Sequence, residues 1–132
     1  MRQKKIQKVI VGADRIATNG DFANKIGTYS LAVLSLHHRV PFFIAAPETT
    51  IDHHSDSGAK IPVEQRDADE VRGVVCHSGR LVWSPSNCSV YNPSFDVTPA
   101  QFIDGMILDV GFFSGDDLRN GCLSRLTPRA LS

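Results

Sequence analysis

The chain has no excess of charge, no long apolar run and no paired-cysteine motif, and each absence removes a class of function. Fourteen basic residues balance fourteen acidic ones, so nothing global draws the chain to nucleic acid or to an anionic membrane. Any anion-binding site has to be local. Apolar stretches such as Val40–Pro47 fall far short of the ~20 residues that a membrane span needs. The start, MRQKKIQKVIV, begins like a basic leader. Lys8 and Asp14 leave its apolar run too short, and no small-residue cleavage site follows, so no signal peptide is expected. Cys76, Cys88 and Cys122 are odd in number and lack CxxC spacing. That argues against a disulfide framework or a zinc site and for a reducing, cytoplasmic setting. There is no internal repeat, low-complexity tract or linker. At 132 residues and 42% apolar content, the chain suits one globular domain that buries ~65–70% of its unfolded surface.

What the chain does have is a polar junction, VGADRIATNGDFANKIGTYS, at residues 11–30. Before it, Ile6, Val9, Ile10 and Val11 form a short β-branched run that reads as a strand ending at Gly12. After it, Ile26, Tyr29, Ala32, Val33 and Leu36 recur at helical spacing, which predicts an amphipathic helix from about Asn24 to His38. VPFFIAAP then reads as a second buried strand. Strand, helix and strand predict a βαβ unit, and with it an α/β fold: a Rossmann-like parallel sheet with flanking helices.

Further on the pattern weakens. Residues 48–80 read as polar loop, with a short strand near Ile61–Val63. Thr98 as N-cap and Pro99 at the first helical position predict a helix from Pro99 to Asp104. MILDVGFF reads as the last strand, and Ser114 with Asp117 as the capping box of a short terminal helix.

The junction carries two pieces of chemistry. Asp14 follows a parallel strand, where α/β sheets bind ligands, and its carboxylate can act as a general acid or base. Gly12 lets the chain turn and keeps a side chain out of a ligand's way. The plainer alternative is that Asp14 caps a turn or pairs with Arg15. Asn24 and Lys25 are expected at the helix start, where free N–H groups and the dipole favour an anion such as a phosphate. The alternative there is an ordinary N-cap and a solvated lysine. The stretch is neither GxGxxG nor a Walker A loop. The pattern alone supports only a phosphate-containing small molecule near an acid/base carboxylate.

From about Lys8 to Gly111 the wording is more specific. VGADRIATNGDFANKIGTYSLAVLSLHHRVPFFIAAPETTID, SGAKIPVEQRDADEV and YNPSFDVTPAQFI closely resemble the C-terminal domain of methylthioribose-1-phosphate isomerases. NKIGT and NPSFDVTP are shared with regulatory subunits of the translation initiation factor 2B type and are related to ribose-1,5-bisphosphate isomerases. The aspartate of GADRI favours an isomerase, and GDFANK with IPVEQRD favours the methylthioribose branch. The resemblance implies conversion of 5-methylthioribose 1-phosphate to 5-methylthioribulose 1-phosphate in methionine salvage. It implies Asp14 as one member of a catalytic pair with a cysteine, Asn24 and Lys25 as substrate-binding residues, no cofactor and no metal. It also implies a homodimer in the full-length family, with no nucleic-acid or membrane partner.

The family's cysteine and several of its substrate-binding residues lie upstream of the GAD motif. The expectation is therefore of a single-domain fragment, residues 1–132, that lacks the N-terminal helical domain. Alone it is expected to be a poor isomerase and to self-associate through an exposed apolar face. HSGRLVWSPSNCSVY departs from the family wording and reads as a divergent loop. Cys76 and Cys122 read as small buried residues. His37 and His38 suit a helix C-terminus. His53 and His54, beside Asp52 and Asp56, sit too close in sequence to converge on one metal ion. Asp96 reads as structural, and Trp83 as packing.

Overall fold

The computed structural model describes residues 1–85 and 87–126. The strands and helices run β1 (Val9–Val11), β2 (Arg15–Ala17), β3 (Phe22–Lys25), α1 (Thr28–His38), β4 (Phe42–Ala45), β5 (Ile51–Asp52), α2 (Asp69–Arg72), β6 (Gly73–Cys76), β7 (Gly79–Val82), β8 (Phe95–Thr98), β9 (Gly105–Leu108), β10 (Gly111–Ser114) and α3 (Gly115–Arg119). Short 3-10 turns occupy Glu48–Thr50, Gly58–Lys60, Ala100–Phe102 and Cys122–Arg125. The fold is α/β, as expected, but its sheets are mixed rather than purely parallel.

The first sheet has the order β1-β4-β9-β10. Its first three strands are parallel, with Val9 opposite Phe42 and Ile44 opposite Met106. β10 returns antiparallel after a two-residue turn, with Gly111 opposite Leu108. MILDVGFF is thus a hairpin and not a single strand: Asp109 and Val110 form the turn that ends β9, and Gly111 opens β10 at a φ of 146° that glycine tolerates. The second sheet, β5-β2-β3-β8, packs with α1 over one face of the first. Phe22, Phe42, Ile16, Ile44, Ile103, Met106, Leu118 and Leu123 are fully buried between these layers. Each such side chain stabilises the fold by about 1.5–3 kcal/mol.

Several elements differ from expectation. α1 begins at Thr28, not Asn24, because Gly27 holds a φ of 104° and Asn24 and Lys25 continue β3. Its inner face is also rotated: Thr28, Ala32 and Ser35 are buried, Ala32 as expected, while Tyr29, Val33 and Leu36 stay exposed. Small side chains let the helix approach the sheet closely, and the longer apolar ones turn outward. Tyr29 meets Phe102 edge-on at 5.7 Å.

The polar segment folds further than a loop. It contains β5, α2 and the β6–β7 hairpin, whereas Ile61–Val63 forms no strand. Phe95–Thr98 is a strand paired with β3, so Thr98 caps nothing, and the expected helix shrinks to the turn Ala100–Phe102. The Ser114–Asp117 capping box is present in full: Ser114 accepts from Asp117 N–H at 3.2 Å, and Asp117 accepts from Ser114 N–H at 2.9 Å. No helix among the described residues is long and apolar enough to cross a membrane.

Candidate functional site

Asp14 stands just past the carboxyl end of β1, at the turn into β2. Its N–H donates to Ala23 O at 2.9 Å, while Arg15 is Ala23's partner in the β2–β3 register. Two residues facing one make a β-bulge, which bends the strand and re-aims its side chains. The Asp14 carboxylate is exposed and has no hydrogen bond or ion pair among the described residues. The proposed pairing with Arg15 does not form, because Arg15 turns to Asp52 at 2.7 Å. Gly12 has an ordinary φ, and nothing lies within 4 Å of where its Cβ would be, so the space beside the strand end is open.

Asp14 and Arg15 line a cleft of about 270 Å³ with Thr49, Thr50, Ile51 and Asp52. Asp52 is its fixed wall. Its carboxylate accepts from Arg15, from the Ser55 hydroxyl at 2.9 Å and from His54 N–H at 3.0 Å. The Arg15 guanidinium first, then these hydrogen bonds, hold its pKa down to about 2. Asp52 is therefore committed as an anion, and Asp14 is the carboxylate of the cleft left for other partners.

Asn24 and Lys25 lie on β3, directly after the Ala23 that receives Asp14's N–H. The fold thus brings all three expected site residues to one corner of the second sheet, but not through the helix start. That position is already filled. Asp96, opposite Asn24 on β8, accepts from Gly27 N–H at 2.7 Å and Tyr29 N–H at 3.0 Å. Its carboxylate supplies an anion of the kind that a helix N-terminus favours. Asp96 is structural, as read from the sequence, though the backbone it binds belongs to α1 across the ladder. Asn24 donates to the Thr28 hydroxyl at 3.1 Å, and the Lys25 ammonium lies 6.0 Å from the Phe95 ring centre. One amide and one ammonium therefore stand on the strand next to Asp14.

The remaining candidates are dispersed. Cys76 is exposed at the β6–β7 turn and not buried; a hydrogen bond with Ser78 lowers its thiol pKa. Cys122 is partly buried, and desolvation raises its pKa. His37 and His38 end α1 edge-on to each other. Among the described residues no group of His, Cys, Asp or Glu is placed to hold a metal. Trp83 is exposed, with its indole N–H donating to Val71 O at 2.9 Å. Sequence reading missed the Arg15–Asp52 pair, whose partners lie 37 positions apart with no local periodicity to link them.

The mixed sheets with flanking helices, and a carboxylate open at the end of a strand in the parallel run, place the chain among α/β domains. More particularly, the chain belongs to the Initiation factor 2 subunit family, whose description fits residues 1–115. It is 56% identical to a methylthioribose-1-phosphate isomerase of Cronobacter sakazakii over 92% of this chain and 36% of that protein. The crystal structure of 5-methylthioribose 1-phosphate isomerase from Pyrococcus horikoshii superposes with a TM-score of 0.77 at 46% identity, covering 92% of this chain and 33% of that one. Translation initiation factor eIF-2B, subunit delta, from A. fulgidus superposes at 0.73 and 36% identity, covering 86% and 32%. The chain spans about a third of the length of the relatives it matches.

Proposed function

We propose that this chain supplies the Asp14 half of a sugar-phosphate isomerase site, acting on 5-methylthioribose 1-phosphate. The observation that carries the reading is Asp14 itself: an exposed carboxylate at the end of β1, without a partner among the described residues, in a cleft whose other acid is neutralised by Arg15. The conversion to 5-methylthioribulose 1-phosphate breaks the bond between C1 and the ring oxygen. It delivers a proton to that oxygen, moves the hydrogen on C2 to C1 and takes the proton from the C2 hydroxyl as C2 becomes the carbonyl, so that no proton is gained or lost overall. Asp14 transfers the proton at the ring oxygen; a second group completes the hydrogen transfer. Lys25 and Asn24 hold substrate oxygens from the neighbouring strand. The higher identity to the isomerase structure than to the initiation-factor subunit supports an enzyme over a regulatory module. The free cysteines support a reducing, cytoplasmic setting, and a homodimer belongs to the same reading.

The test is a chimera in which this chain replaces the matched 121-residue segment of the Cronobacter sakazakii relative. It should turn over methylthioribose 1-phosphate, and Asp14→Asn should lower kcat by about 10²–10⁴-fold with the fold retained. Undiminished turnover by the Asp14→Asn chimera removes Asp14 from the chemistry. A folded but inactive parent chimera removes the isomerase reading.

A further inference from the structure

Asp14 and Arg15 are neighbours in sequence, and in a regular strand their side chains would point to opposite faces of the sheet. The bulge against Ala23 changes that. Both side chains line the same cleft. An acid and a guanidinium set side by side ordinarily pair, and the guanidinium then favours the anionic form of its partner. Arg15 instead donates through Nη1 to Asp52 on the neighbouring strand β5, at 2.7 Å. Asp14 accepts nothing among the described residues.

What decides the contest is how firmly Asp52 is built in. It lies opposite Ala17 in the β2–β5 register. Its carboxylate also accepts from the Ser55 hydroxyl and from His54 N–H, and Ser55 O in turn accepts from Thr18 N–H at 2.9 Å. The Asp52 side chain is 16% exposed. A preset, partly desolvated carboxylate attracts a long, flexible guanidinium more strongly than a fully solvated one does. The other charges nearby are differently engaged. Glu48 is buried in the turn before β5, with its N–H donating to Asp109 at 2.7 Å, and His53 and His54 follow Asp52. Lys25, on β3, lies by the Phe95 ring and acts on Glu70 near α2. Arg15 is the one cation among the residues that line the cleft.

We propose that Asp52 is a positioning residue for Asp14: it holds the Arg15 guanidinium away from the neighbouring carboxyl, which is left able to hold a proton and give it up. The catalytic meaning of this role rests on the isomerase reading. A general acid at the ring oxygen has to carry its proton before the bond from C1 to that oxygen breaks. The proton then passes to the oxygen, and the carboxylate remains. With Arg15 turned onto it, Asp14 would stay an anion and could hand over nothing. Asp52 itself touches no reacting atom.

Carbodiimide coupling of glycinamide, which consumes protonated carboxyls, tests the contact in the 132-residue chain. Asp14 is resolved by peptide mass spectrometry and referred to each protein unfolded in urea. In Asp52→Asn, Asp14 should couple about tenfold slower than in the parent, the effect of a guanidinium newly placed beside it. Adding Arg15→Met to Asp52→Asn should restore the parent rate. Asp52→Glu, which keeps a carboxylate for Arg15, should stay near it. Unchanged coupling in Asp52→Asn overturns the proposal, as does a slowing that Arg15→Met does not reverse. An Asp52→Asn chain that fails to fold also overturns it, since Asp52 would then be structural.

In the chimera, Asp52→Asn should lower kcat at neutral pH about tenfold with KM held within about twofold. The alkaline limb of its kcat profile should move to lower pH by about one unit, and Arg15→Met should reverse both changes. An active chimera whose kcat ignores Asp52→Asn overturns the proposal. A folded, inactive parent chimera defeats the isomerase reading alone, and the coupling rates still decide whether Asp52 keeps Arg15 off Asp14.

Discussion

The body of the molecule and the excursion at residues 62–92 are built on different principles. In the body, two sheets and α1 enclose fully buried Phe22, Ile16, Phe42 and Met106. In the excursion Gly73 is the one buried residue among those described, and it is there because a Cβ would run into the Leu81 carbonyl. Val75, Leu81, Trp83 and Tyr91 are 81%, 61%, 61% and 80% exposed. The excursion is held by other means. Arg66 pairs with Glu70 at 2.7 Å, Arg80 with Asp69 at 2.5 Å, and a bridge between Gln65 and Pro93 ties its base to the body. Apolar burial is insensitive to salt and cooperative, whereas exposed ion pairs contribute about 0–1 kcal/mol each and are screened. The two regions should therefore fail separately.

The largest effect should come from the body. Phe22→Ala empties a site between the sheets and should lower the stability of the whole domain by about 3–5 kcal/mol in denaturant unfolding followed by circular dichroism. A loss below 1 kcal/mol would mean that the body, too, lacks a tight core, and the contrast would collapse.

Next comes the polar tie inside the body. Asp96→Asn keeps the shape but removes the charge facing Gly27 and Tyr29 N–H. The loss should be about 1–2 kcal/mol, with the first turn of α1 exchanging its amides faster. Unchanged exchange at Tyr29 would show that the helix start is fixed by Gly27 alone.

These two sites also show what the sequence could and could not convey. Phe22 and Asp96 sit in stretches read as junction and helix opening, yet both are on strands of one sheet. Asn19-Gly20, with Gly20 at a φ of 90°, is the turn between β2 and β3, and Asn-Gly is a known hairpin signal. It was submerged in the polar run around it. β1, β4 and the Ser114–Asp117 box were legible because their determinants are contiguous. The helix was legible from Thr28 to His38 and wrong only before that, since Ile26 fits a helical period while Gly27 breaks the chain. Asp14's position at a strand end was readable. Its bulge and the Arg15–Asp52 wall were not, because they depend on partners brought together only by the fold.

Acid should act on the cleft before it acts on the core. Asp52 titrates near 2 in the folded chain against an ordinary 3.8. A lowered carboxylate stabilises the fold above the unfolded value and loses that contribution as pH falls through the folded one. Asp52→Asn should cost about 1 kcal/mol near pH 7, since the half-exposed Arg15 is screened by solvent. The difference from the parent chain should shrink from about pH 4 downward and be gone only below the folded value, at about pH 1. A difference that persists undiminished there would assign the cost to packing and not to charge.

The smallest effect should be the most discriminating. Trp83 is the chain's single tryptophan, and both its backbone and its indole N–H groups bond to α2, at Arg72 O and Val71 O. Its fluorescence therefore reports the excursion, while circular dichroism is dominated by the body. Asp69→Asn removes the acid shared by Arg80 and Arg72. It should leave the dichroism midpoint within about 0.5 kcal/mol of the parent. The fluorescence transition should move earlier, and 1 M salt should erase most of that shift by screening the pairs in the parent as well. Because a two-stranded hairpin is marginal on its own in water, the fluorescence change should precede the dichroism change even in the parent chain. Coincident transitions that moved together in Asp69→Asn would make the excursion part of one cooperative unit. Its exposed valines would then have to contribute to the core by contacts that their present exposure does not provide.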